Sequence, residues 1–485
     1  MEVAAQHVVL DDHAVRAWAT GALTACRAAR ELIDAVNVFP VPDADTGSNV
    51  ALTLTGGVEA LVAAPGGPGG LLTTFASGAA RAARGNSGII LSQWLVGLAD
   101  GLTDAPGGDA TEVLVAGLER ADRAARAAVP DPQEGTVLTV AREVAAHARR
   151  GVGAAAPAGV LAAATASARA DLARLSAGHD VLRAARVVDA GACALLVVLD
   201  ALVHTLATGT ALTEADLDLG WLPRTAPEAV AGCAPALGGA FEVMVLVDAA
   251  WPGAGGLVAA LQDVGDAVAV VDAGDCRHAH VHCDDPAAAI GLVPAEVRRQ
   301  VVVRRVDEPA PAARGLVVLT RSPGLAAWYA TCGAVTLVGP APTAQQVRRA
   351  AVDTRAERAV VVAAGVPADD GSTQDGSVDV LAVAGDGPAV VTCLALVADP
   401  QVAPEAGLAA LARLRHGTTA DDVVDLAATL VADVPGAQGV TLVHGADVPP
   451  ATTRAVADAV AAAHPQTEVV LAGPAVHAAW WVGVD

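Results

Sequence analysis

The sequence predicts a multidomain chain: an all-helical N-terminal domain, then a small α+β domain, then a C-terminal α/β domain. Three observations carry this. Long runs of Ala, Leu, Val and Arg with helical periodicity fill residues 1–208. Strand-like runs begin at Ala240, and from Ala313 short apolar runs alternate with helical stretches to the end. At roughly 150 residues per domain, 485 residues accommodate such an arrangement. The boundaries read as 1–208, a linker with scattered Pro and Gly at 209–236, a middle domain at 237–309, and 312–485.

In the first domain the clearest helices are Ala14–Val36, Thr111–Ala128 and Thr139–Arg150. Four polar loops separate the helical runs: Phe39–Gly47, Arg84–Gly88, Asp131–Thr136 and Asp189–Gly191. Measured at Asp45, Asn86, Glu134 and Asp189, they lie 41, 48 and 55 residues apart. Each step fits two helices of about 20 residues, about 30 Å up and 30 Å back. Alternate loops of an up-and-down array return to one end, so the four should meet on one rim. The Gly-Pro runs Ala63–Gly70 and Ala105–Gly108 fall on intervening loops, at the other end. The middle domain reads as strand Phe241–Val247, helix Gly255–Val264, strands Ala267–Val271 and His278–Cys283, and a helix from Pro286. In the last domain the apolar runs are Leu316–Leu319, Val335–Val338, Ala359–Ala363, Val380–Val383, Gly439–Val443 and Glu468–Leu471, in one open parallel sheet or two fused halves.

Composition narrows the chemistry. A net charge of −23 argues against nucleic acid as a partner. All thirty basic residues are Arg, which excludes a Walker A loop and lysine Schiff-base chemistry. Seven scattered Cys without a C-x-x-C pair do not form a disulfide framework. The first residues carry no basic segment leading into an apolar core, and the most apolar helical stretch, Ala194–Ala207, is short and broken by Asp200 and His204. The expectation is a cytoplasmic protein with no integral membrane segment. The chain has only three Asn, and all three, Asn37, Asn49 and Asn86, fall in or beside the first two polar loops.

Asp43 and Asp45 stand two apart in a Pro-framed turn before Thr46, Ser48 and a helix. Hard cations take carboxylate oxygens, and Mg²⁺ is held by one or two carboxylates plus substrate phosphates. An ordinary Asx-turn with an N-cap would use the same residues. Gly85-Asn86-Ser87-Gly88 opens an apolar helix whose amides could wrap an anion, with Arg84 adding charge. Glu134-Gly135-Thr136 and Asp189-Ala-Gly191 repeat that design. Four such loops on one rim favour a nucleotide-phosphate site.

Asn37–Gly47, Ala83–Gln93, Glu134–Val140 and Val187–Gly191 resemble, in order and spacing, the nucleotide-binding domain of the dihydroxyacetone kinase family. More closely, they resemble the ATP-binding subunit of the bacterial fatty acid kinase. The resemblance covers about the first 205 residues and weakens beyond about residue 310. It implies an antiparallel eight-helix barrel that binds ATP and Mg²⁺ at one rim. Asp43 and Asp45 would be the catalytic Mg²⁺ carboxylates, with Asn37 a further ligand. Thr46, Gly47, Ser48, Asn49, Arg84, Gly85, Asn86, Ser87 and Gly88 would surround the phosphates. Glu134, Gly135, Thr136, Asp189 and Gly191 would complete the nucleotide pocket. The γ-phosphoryl would pass to the carboxylate of a fatty acid presented by a separate, DegV-like fatty-acid-binding protein. A homodimer is also suggested. The family usually has Gly where Ala44 stands, and Gly-Gln-Gly where Ala192-Cys193-Ala194 stands. A small hydroxy-ketone kinase and a non-catalytic nucleotide-binding scaffold are the alternative functions.

His278, His280 and His282 alternate along a strand and so share a face. Their spacing suits zinc; a solvent-facing polar strand is the other reading. In the related subunits the two His matching His280 and His282 are joined by a Cys, and Ala240 replaces it here. Cys276 or His278 would have to substitute, or the site is empty. Ser322-Pro-Gly324 reads as a helix cap, and Trp480 and Trp481 as packing residues.

Overall fold

A computed structural model describes residues 9–64, 70–104, 109–224, 239–306, 314–368, 376–399, 401–476 and 479–485. Most of both Gly-Pro runs, the later part of the expected linker and the expected boundary at 309–312 lie outside the described residues. The chain forms two compact units. Unit 1 comprises Met1–Gly238, Leu246–Gln262 and Asp266–His280, and unit 2 comprises Gly239–Val245, Asp263–Gly265 and Val281–Asp485.

Unit 1 contains helices α1 (Asp12–Asp34), α2 (Thr46–Ala63), α3 (Gly70–Ala82), α4 (Gly85–Asp104), α5 (Ala110–Ala127), α6 (Val137–Arg150), α7 (Pro157–Ser176), the short α8 (Asp180–Ala185) and α9 (Ala190–Thr208). Their starts are written in the sequence. Asp11 caps α1, Asp109 caps α5, Thr136 caps α6 and Asp189 caps α9, each accepting from an amide of the first turn. Each helix from α1 to α7 packs on the next, α7 packs on α9, and α9 returns to α1. Apolar faces meet inside, where the Trp18 indole donates to the Val198 carbonyl at 3.1 Å and meets Phe75 edge-on at 5.8 Å. Contrary to the expectation from 194–207, α9 is long and apolar enough to cross a membrane, at 19 residues and mean hydropathy 2.0. It is instead mostly buried, with α1, α2, α6 and α7 around it. Its Asp200 pairs with Arg169 of α7, which also lies over the Trp221 ring at 4.7 Å.

The middle segment supplies β1 (Phe241–Asp248), α10 (Leu257–Gln262), β2 (Asp266–Asp272), β3 (Cys276–Cys283), α11 (Pro286–Gly291) and β4 (Arg298–Arg305). This segment is divided between the two units. The β2–β3 hairpin largely belongs to unit 1. Gln93 of α4 donates to the Asp272 carbonyl at 2.9 Å, and Arg81 of α3 pairs with Asp275 at 3.2 Å. Ala269 and Val271 of β2 pack on Ala83 and Ile89, on either side of the Arg84–Gly88 loop. A strand therefore backs the second polar loop.

Unit 2 continues with β5 (Gly315–Thr320), α12 (Ala326–Thr331), β6 (Ala334–Val338), α13 (Ala344–Asp353), β7 (Ala359–Ala364), β8 (Val378–Val383), α14 (Asp386–Ala398) and α15 (Pro404–Arg413). These strands follow the order β1-β4-β6-β5-β7-β8. Strands β6, β5, β7 and β8 are parallel; β4 joins β6 antiparallel at Val302↔Leu337, so one sheet crosses the expected 309–312 boundary. Strands β5 and β7 are buried throughout, as expected of a parallel sheet covered on both faces. A second sheet, ordered β11-β10-β12-β9, contains β9 (Arg415–Thr419), β10 (Gly439–Gly445), β11 (Glu468–Ala475) and β12 (Trp480–Val484), with α16 (Val423–Asp433) and α17 (Pro450–Ala463). Trp480 and Trp481 are core residues on β12, and the Trp481 ring fills the space beside Gly387. At the end of β5, Thr320 and Ser322 each donate a hydroxyl to buried Asp386 at 2.6 Å. The Tyr329 hydroxyl donates to the same carboxylate at 3.2 Å. Ser322 also accepts from the Val476 amide at 2.9 Å. It is thus a junction between the two sheets of unit 2, more than the helix cap expected.

Candidate functional site at the helix-loop rim

Four loops of unit 1 hold the residues singled out by sequence. In the first, Asn37 is central. Its Nδ2 donates to Asp43 Oδ1 at 2.6 Å, and its Oδ1 accepts from the Thr46 hydroxyl at 2.9 Å. Asn37 therefore orients Asp43 through one end and Thr46 through the other. Asp45 sits at the N-cap of α2 and is 4% exposed, yet makes no capping hydrogen bond. The cap comes from Asp34, which sequence reasoning missed. Its Oδ1 accepts from the Gly47 and Ser48 amides at 2.6 and 3.1 Å, and its Oδ2 from the Ser48 hydroxyl at 2.8 Å. The Gly47 and Ser48 amides are thus bound to a carboxylate inside the chain. Ala44, between the two aspartates, has φ of +51°.

In the second loop, Asn86 and Ser87 are half-buried, and Ser87 Oγ lies 3.2 Å from Thr46 Oγ1. A side chain at Gly88 would stand 2.3 Å from Thr53 Oγ1, so only glycine lets α4 start this close to α2. Asn49 and Arg84 are buried. One Arg84 guanidinium nitrogen donates to the Ala83 carbonyl at 3.1 Å, so this group is folded back into the helices.

In the third loop, Thr136 caps α6 and donates to the Gln133 carbonyl at 2.8 Å. Glu134 accepts from Thr139 at 2.7 Å and pairs with Arg126 and Arg142. The Thr139 hydrogen bond and then Arg142 hold its carboxyl below the ordinary range. Its carboxylate is engaged with this ion-pair network. In the fourth loop, one oxygen of Asp189 accepts from both the Val137 and Ala192 amides at 2.8 Å. One carboxylate thereby caps α6 and α9 together. Burial pushes its pKa up to about 6, against the two amide hydrogen bonds.

The loops are linked in series. Thr46 meets Ser87; Phe39 of the first loop lies 4.1 Å, between ring centroids, from His179, which follows α7. His179 packs on Gly135 of the third loop, where φ is +84° and a Cβ would stand 2.7 Å from the His179 amide nitrogen. Val137 meets Asp189 of the fourth. The four loops therefore share one rim. Residues 40–204 match the DAK2 domain. The rim-bearing part of unit 1 is thus similar to the DAK2 domain. Within the curated relatives, an uncharacterized protein of Staphylococcus saprophyticus is 43% identical over 119 residues, covering 24% of this chain and 21% of that protein. Counterparts in Staphylococcus epidermidis and Staphylococcus aureus are 42% and 40% identical over 119 and 116 residues, with the same coverage. The alignments span about a fifth of each relative's length.

On β3, all three histidines are buried, which removes the solvent-facing reading. His278 turns to the Ala80 carbonyl of α3 at 3.1 Å. His280 Nδ1 lies 3.0 Å from the Ala267 carbonyl of β2. Glu242 of β1 pairs with Arg304 of β4.

Proposed function

We propose that the chain is the ATP-binding subunit of a kinase whose acceptor is a fatty acid carboxylate presented by a separate fatty-acid-binding protein. The observation that carries it is the pair of aspartates at the start of α2: Asp45 is a buried carboxylate at the N-cap position, and Asp43, two residues before it, is held by Asn37. This donor set fits Mg²⁺, a hard cation, with Asp43 and Asp45 as its protein ligands. When bound, Mg²⁺ would neutralise charge on the transferred phosphoryl group. Asn37 fixes the Asp43 carboxylate and takes the Thr46 hydroxyl proton, while the Ser87 hydroxyl and the start of α4 would donate to phosphate oxygens. Asp189 holds α6 and α9 in register so that the rim keeps its shape. The barrel expected for such a domain is supported by the cycle of helix contacts from α1 to α9 and back.

Asp43→Ala and Asp45→Ala are each expected to abolish Mg²⁺-dependent ATP binding measured by calorimetry; unchanged binding in both would sink the assignment. ATP turnover that requires a lipid-loaded partner separates this reading from a small-molecule kinase and from a scaffold. His280 and His282, alternating on β3, suit zinc. About one zinc per purified chain by elemental analysis would support a structural metal there.

A further inference from the structure

The DAK2 match ends at residue 204, yet two of the rim loops are braced by chain well beyond it. Residues 266–280 of the β2–β3 hairpin belong to unit 1, while strands β4 to β8 of the same sheet belong to unit 2. Ala269 and Val271 alternate along β2 and so share a face. That face joins one buried apolar cluster with Ala83, Ile89 and Ala128, and half-buried Val129 packs against it. Ala83 immediately precedes the second loop and Ile89 immediately follows it, while Ala128 and Val129 lead into the third. One strand thus sits behind two of the four loops and holds both ends of one.

Hydrogen bonds fix the hairpin in that place. Gln93 of α4, 8% exposed, donates to the Asp272 carbonyl at 2.9 Å. His278 Nδ1 lies 3.1 Å from the Ala80 carbonyl of α3. The hairpin is therefore tied to α3 before the second loop and to α4 after it. The exposed Arg81–Asp275 pair adds little to this. The start of α4 and the Ser87 hydroxyl can move only with these helix ends, and a shift of about 1 Å is enough to misplace a group for binding or transfer. We propose that the β2–β3 hairpin is a positioning element of the nucleotide rim, setting the second and third loops from behind for Mg-ATP, with Gln93 the positioning residue that couples it to α4. The inference rests on the Mg-ATP reading of the rim. Coupling of this kind is reciprocal: if the hairpin sharpens the rim for Mg-ATP, then Mg-ATP steadies the hairpin to the same degree.

Both arms of the test use the full chain. Gln93→Leu keeps the bulk and removes the donor, and Val271→Ala opens space behind Ala83 and Ile89. In calorimetry at a temperature where every variant is folded, each should weaken Mg-ATP binding about fivefold, the lower end of coupling between sites. A side chain that only stabilised the fold would lower the melting temperature and leave that affinity alone. Val271→Ala carries the comparison if Gln93→Leu does not fold. Hydrogen exchange reads the reciprocal arm: Mg-ATP should slow the amides of 266–280 in the wild type and leave β10 and β11 of unit 2 unchanged. Unaltered affinity in the folded variants, or protection confined to the four loops, overturns the proposal. Wild-type chain that binds no Mg-ATP overturns the rim reading itself.

Discussion

Ala44 occupies a backbone conformation in which a Cβ is crowded, at φ +51° between the two candidate metal carboxylates. Ala44→Gly should relieve that crowding, against the added freedom of the unfolded chain, and stabilise the protein by about 1 kcal/mol. Denaturant unfolding would show a higher midpoint at unchanged slope. Asp189 makes a second case, with a sign that follows from its raised pKa. The unfolded carboxyl titrates near 3.8 and the folded one at about 6. Between these values the folded chain keeps a proton that the unfolded chain has lost. Stability from this group is therefore full below about pH 4 and lost as pH rises through 6, by roughly 3 kcal/mol. Asp189→Asn keeps one oxygen for both amides and removes the charge. Its melting temperature should fall less between pH 4 and 7 than that of the wild type; Asp200, also raised to about 6 by burial, titrates in both proteins. The two-residue spacing of Asp43 and Asp45 was plain in the sequence. Asp34 was not, because a carboxylate at the end of one helix carries no signal that it will cap the next.

Among the elements, α2 depends most on such a long reach. Removing Asp34 strands two amides and a hydroxyl at its start. Asp34→Ala should cost about 2 kcal/mol in denaturant unfolding, at the upper end for a cap. The helices were legible because their length and caps are local properties, and helix length alone brought alternate loops to one end. Strands β4, β9 and β12 were not. Arg298–Arg305 is half arginine, Arg415–Thr419 is polar, and Trp480–Val484 is short and holds a glycine. Each is a strand because a neighbour offers a ladder, as β6 does for β4 and β12 for β9. The β2–β3 hairpin was read correctly as strands but not as part of unit 1. Periodicity tells which face of a strand is covered, not what covers it.

At the scale of the whole molecule, the sequence marked three regions by change of pattern, and the chain gathers them into two compact units. The difference arises at 237–309, whose strands are shared out by contacts between residues far apart in sequence. Unit 2 also holds the chain's single tyrosine, Tyr329, fully buried and bonded to Asp386. Burial and the neighbouring Asp386 charge raise its phenol well above the ordinary value of 10. One chromophore therefore reports on one unit. In alkaline solution the absorbance of tyrosinate near 295 nm should stay silent while unit 2 is closed and appear in a single step when it opens. A smooth rise centred on pH 10 would instead mean that solvent reaches this hydroxyl in the native chain. Because no second tyrosine contributes, the pH-jump kinetics of that signal would time the opening of unit 2 without any introduced label.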